Sequence, residues 1–110
     1  MSKINTTSLV QNMLSAVKQV LQLHWNDVRP FAETEMQKLA TTAVQIETGH
    51  ADGTISDAQA KILLKMQANS SQAVLTAVET VGMIAAQDAI NAALRVLAAA
   101  VNSAVGVALL

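Results

Sequence analysis

Glu47, Thr48, Gly49 and His50 give the Glu-x-x-His spacing with which di-iron carboxylate bundles hold metal, and Glu33 and Glu35 precede it. That chemistry needs the motif inside a helix, answered by a second set on a facing helix. Gly49 reads as a helix end and the second half offers only Glu79 and Asp88, so no metal site is expected. Asp52-Gly-Thr-Ile-Ser56 has the pattern of the middle of a calcium-binding EF-hand loop. With Gly53 at the sixth position, Thr48 falls first, His50 third and Gln59 twelfth, which leaves too little carboxylate for calcium.

His24, beside Trp25 and three residues before Asp27, has the makings of a general base, but no nucleophile or oxyanion donor accompanies it. Ser70 and Ser71 lack the Gly-x-Ser-x-Gly elbow of a serine nucleophile, and no glycine-rich phosphate loop is present. With no cysteine there is neither a thiolate nor a disulfide framework. The expectation is a protein that is not an enzyme and uses no cofactor. Met13, Met36, Met66 and Met83 all fall on apolar stripes and read as core filler rather than a ligand groove.

The elements around these residues are helical. Proline occurs once and glycine four times in 110 residues, too few breakers for a strand-and-turn architecture. After candidate caps at Thr6 to Ser8, apolar residues recur at Val10, Leu14, Val17, Leu21, Trp25, Val28, Ala32, Met36, Leu39, Ala43 and Ile46, the period of one helical face. The stripe passes through Pro30. Either a single helix kinks near Asn26, or two helices meet there with Asn26 or Asp27 capping the second, and the second reading is preferred. Two glycines and the Asp52-Gly53 pair place a chain reversal at residues 48–55, and Ser56 with Gln59 forms a capping box for the next helix.

Beyond the reversal the sequence leaves open whether residues 56–110 form one helix or two, with Asn69-Ser70-Ser71 as a soft point. Polar Thr80, Asn91 and Asn102 lie eleven apart, a weak eleven-residue rhythm that favours nearly straight packing. If continuous, residues 8–48 reach roughly 60 Å and residues 56–110 roughly 80 Å, leaving Val96 to Leu110 as an uncharged overhang. The expected fold is therefore all-α, one domain over residues 1–110, either an antiparallel long-helix hairpin or a small bundle, with an extra break near residues 24–30.

Charge is uneven. The chain is 52% hydrophobic, 14% charged and 2% aromatic with net charge −1, whereas ordinary domains carry about 25% charged residues. Five of the seven basic and six of the eight acidic residues lie between residues 18 and 65, and after Met66 only Glu79, Asp88 and Arg95 are charged. Scattered cations and two aromatics give nucleic acid neither field nor stacking platform.

A helix this apolar needs cover from its own chain, from copies or from lipid. The preferred expectation is a structural protein that forms a homo-oligomer through its Ala-rich C-terminal helix, with Val74, Val78, Val81, Ile84, Leu94, Val101 and Val105 as contacts. Covering half the apolar face of residues 73–110 would remove on the order of 1,000 Å² from water, at about 25 cal/mol per Å². The alternative is a membrane-active protein. Residues 89–110 hold one charge and have the length of a span, but Asn91, Asn102 and Ser103 oppose insertion and no aromatic belt flanks them. No signal peptide is read at the N-terminus, so the expected location is cytoplasmic, with membrane association as the alternative.

Overall fold

The computed structural model describes residues 2–110. Four helices follow one another: α1 (Thr6–Val20), α2 (Trp25–Asp52), α3 (Asp57–Thr76) and α4 (Met83–Val105), with a single 3-10 turn at Gln22–His24 between the first two. They alternate in direction, and the pairings leave α2 and α4 in contact across the centre with α1 and α3 on either side. The fold is a small all-α bundle. Its longest extent is 42 Å, the length that 28 residues of α2 span at about 1.5 Å each.

The apolar stripe read from the first half is the core of α1 and α2. Nine of its eleven members are buried, while Leu14 and Trp25 are half-buried against the rest. The caps differ from expectation at one end and match at the other. Asn5, not Thr6 to Ser8, caps α1, its side chain accepting from the Ser8 amide at 3.0 Å. The Ser56–Gln59 capping box is present in both directions, at 2.8 and 3.1 Å.

Two helices rather than one kinked helix occupy the first half, but the break falls at Leu21–His24, ahead of the expected cap residues. Leu21 is buried and the His24 amide donates to its carbonyl at 2.8 Å, so the turn is pinned by the same stripe that makes the helices. Pro30 then lies in the second turn of α2. Its missing N–H deprives only the carbonyl of Asn26, an exposed residue, of a helical partner.

The reversal falls in the last part of residues 48–55, between Asp52 and Ser56. Gly49 does not end α2; the helix continues to Asp52, and Gly53 at φ 79° closes it in the left-handed conformation. Gly49 is instead where the returning chain touches the helix. Its carbonyl accepts from the Thr54 and Ile55 amides at 2.9 and 3.1 Å, and a Cβ placed on it would lie 2.5 Å from Ile55 Cγ1 and closer still to Cδ1. Gly49→Ala should therefore lower the melting temperature despite alanine's helix preference of about 1 kcal/mol, and Ile55→Ala in the same chain should recover it. A thermal melt followed by circular dichroism checks both; a single variant that melts higher than the parent contradicts the contact. Asp52 accepts from the Thr54 hydroxyl and amide, which holds its carboxyl below the ordinary 3.8. That support is present above the unfolded value and fades as pH falls through the folded one.

Residues 56–110 form two helices. The break is not at Asn69–Ser71, which stays inside α3, but at residues 77–82, where Val78 and Val81 amides close successive turns and Gly82 begins α4. Thr80 sits in this connection, so the spacing of eleven does not describe one continuous helix. The expected overhang is absent as well: α4 folds back along α1, where Ala86, Ala89 and Ala93 let the backbones approach around Ile90, Leu97 and Val101. After Gly106 the chain turns again. Asn102 holds Leu110 by its amide and carbonyl at 2.8 and 3.3 Å, and Leu109 is buried.

Candidate functional site

Alternating helix directions bring the end of α1, the start of α2, the end of α3 and the start of α4 to one end of the bundle, and a hydrogen bond from Thr80 Oγ1 to Asp27 Oδ2 (3.3 Å) ties its two connections together. Val20, Leu23, Phe31, Met83 and Ile84 are exposed there, Leu23 at 94% and Ile84 at 75%. Isolated surface leucines are ordinary, but five large apolar side chains at one end of a chain with fifteen charged residues form a candidate contact surface. Lys18, Arg29, Asp27, Glu33 and Glu79 bring both signs of charge to this end. Arg29 and Glu33 already pair at 2.8 Å.

The expected contact residues separate into three groups. Val81 and Val101 are buried within the chain and present nothing to a partner. Val74, Val78, Leu94 and Val105 are half-buried, and Ile84 alone is fully exposed. The reason is the break at residues 77–82, which lets α1, α2 and α3 cover one face of α4. By length and composition α4 could still cross a membrane, with mean hydropathy 1.4, while 39% of its most apolar stretch is buried in the bundle. Met13 and Met36 are core, but Met66 and Met83 are exposed, against the expectation that all four fill it.

Carboxylates that looked like metal ligands have other partners. Glu47 receives hydrogen bonds from Ser2 Oγ at 2.5 Å and the Lys3 amide at 2.7 Å, which clamps the N-terminal segment onto α2. His50 Nε2 faces Asp57 Oδ1 at 3.4 Å across the reversal. Glu35 stands about 18 Å up the helix from Glu47, twelve residues at 1.5 Å each. Among the described residues no three histidine, aspartate or glutamate side chains come together in a way that could hold a metal ion. A cleft of about 430 Å³ does border Lys3, Glu47, His50 and Asp52, although the two oxygens of Glu47 are engaged.

Glu35 itself is the polar feature that sequence reading missed. It is 2% exposed, accepts from Ser71 Oγ at 2.9 Å and meets Lys38 Nζ at 3.2 Å, while Gln67 Nε2 donates to Ser71. The signal was available: Glu35 is in phase with Ala32 and Leu39, and Ser71 with Ala68 and Leu75. Compared with protein-family models, curated proteins and solved structures, the chain has no significant match in any of the three.

Proposed function

We propose that this chain is a non-enzymatic assembly module whose bundles associate with copies of themselves through the apolar end carrying Val20, Leu23, Phe31, Met83 and Ile84. The observation that carries the reading is the near-complete exposure of Leu23 and Ile84 at the same end. A two-fold contact presents one surface to itself and favours a patch with both signs of charge at its edge, which Lys18, Arg29, Asp27, Glu33 and Glu79 supply. The same mixture gives an anionic bilayer no net attraction. Insertion of α4 into lipid would also empty the core of Ile90, Leu97 and Val101.

Size sets the strength. The bundle's end measures about 23 by 19 Å, so two copies meeting end to end bury less than the roughly 1,200–2,000 Å² of a stable interface. Association is then reversible and concentration-dependent. Sedimentation velocity across a concentration series should show the mass rising, and Leu23→Asp with Ile84→Asp should hold the chain monomeric with its helical signal intact. A parent that stays monomeric at millimolar concentration, or that floats with liposomes, contradicts the reading.

A further inference from the structure

Asp52 and Gly53 form the one link in the chain where an acidic residue precedes glycine; Asp27, Asp57 and Asp88 are followed by Val28, Ala58 and Ala89. At such a link the amide nitrogen of the glycine can attack the γ-carbon of the aspartate, because no Cβ keeps the two apart and the reacting atoms are already in one short stretch of chain. The neutral carboxyl is the form that reacts, since its hydroxyl leaves as water.

The reversal opposes each part of that step. Asp52 Oδ1 accepts from the Thr54 hydroxyl at 2.6 Å and the Thr54 amide at 3.0 Å, which turns the carboxyl toward residue 54 and holds it ionised. The Gly53 N–H donates back into the last turn of α2, to the Gly49 and His50 carbonyls. All three residues of this turn are exposed, so water has access to it.

We propose that Asp52–Gly53 is a site of spontaneous isomerisation to isoaspartate and that Thr54 is the gate that keeps it closed in the folded chain. When the Thr54 contacts open and Asp52 takes up a proton, Gly53 N bonds to Asp52 Cγ, the amide proton and the carboxyl hydroxyl leave together as water, and a cyclic imide results. Water then adds back. Where it breaks the bond from Gly53 N to the main-chain carbonyl carbon of Asp52, the chain continues through the side-chain carbon, with one more methylene in the backbone and the original composition. That methylene displaces the left-handed cap at Gly53 and the seat of Ile55 on Gly49, so the modified chain should melt lower than the parent.

The experiment ages the parent, Thr54→Val and Thr54→Ser side by side in warm, mildly acidic buffer in which each keeps its helical signal. Isoaspartate is measured in the tryptic peptide of residues 39–61 by fragmentation at position 52. Thr54→Val should isomerise at least about threefold faster than the parent, because each unit by which a carboxyl is held down cuts its neutral fraction about tenfold. Thr54→Ser, which keeps the hydroxyl, should stay close to the parent, and the parent unfolded in urea at the same pH should outpace all three. Ser71→Ala loosens the contact between α2 and α3 away from the reversal and should age like the parent. The proposal is overturned if Thr54→Val ages no faster than the parent, if Ser71→Ala accelerates it as much, if urea leaves the rate unchanged, or if Asp57 isomerises as fast as Asp52. If Thr54→Val fails to fold, the folded parent against the parent in urea decides. The self-association reading is independent, because residues 52–54 lie at the opposite end of the bundle from Leu23 and Ile84 and its readout is sedimentation.

Discussion

Leu97→Ala should lower the unfolding free energy by about 2–5 kcal/mol, whereas Ile84→Ala, thirteen residues earlier on the same helix, should change it by less than about 0.5 kcal/mol. Both residues are aliphatic side chains on α4, and composition alone does not separate them. Leu97 is completely buried, so its truncation loses the transfer energy of the side chain and leaves a cavity that the close-packed alanines around it cannot collapse to fill. Ile84 is largely in water before and after folding, so the folded state has little to lose. Urea denaturation of the two variants under identical conditions, at a concentration too low for association, gives the difference directly. Losses of similar size for both would mean that Ile84 is covered within the chain as Leu97 is, against its exposure in the bundle. A domain of this length is stable by only about 5–15 kcal/mol, so Leu97→Ala brings it close to its limit.

The contrast within α4 shows where sequence reading succeeds and where it stops. The stripe from Val10 to Ile46 was legible because one helical period runs through it and its neighbours are polar. In α4 nearly every position is apolar, so periodicity has no contrast and cannot tell Val101 in the core from Ile84 in solvent. The decision belongs to the break at residues 77–82, and that break carries only Gly82 as a signal. The same weakness explains Gly49: a glycine near a reversal reads as a stop, yet here it gives room for Ile55 while Gly53 supplies the positive φ. The exposed end was legible only in part, through Ile84, because Leu23 sits in phase with no stripe and its exposure follows from the 3-10 turn.

Ser71→Ala should cost about 1–3 kcal/mol, and adding Glu35→Met to it should restore most of that loss. Ser71 Oγ is the donor that the buried Glu35 Oε1 receives from α3, and removing it leaves a carboxylate oxygen in the core between α2 and α3 without a partner there. The Lys38 contact does not compensate, because its ammonium is half in water and such pairs contribute only about 0–1 kcal/mol. Methionine at position 35 replaces the charge with an apolar side chain of similar length, which the surrounding Ala32, Leu39 and Ala68 accept. Glu35→Met alone strands the Ser71 hydroxyl with Gln67 as its remaining contact, so the two single losses should not add: a double-mutant cycle should give a coupling of about 1–3 kcal/mol. The network therefore contributes less to stability than to register. A shift of α3 by one turn along α2 would bury the same carboxylate against Ala68 or Leu75 rather than a hydroxyl, a penalty that the small side chains of this interface could not otherwise impose. In the double variant that penalty disappears, and with it the reason for a single alignment. Its helical signal should equal the parent's, while the amides of residues 64–75 exchange with solvent faster; unchanged protection in that segment would show that packing alone sets the register.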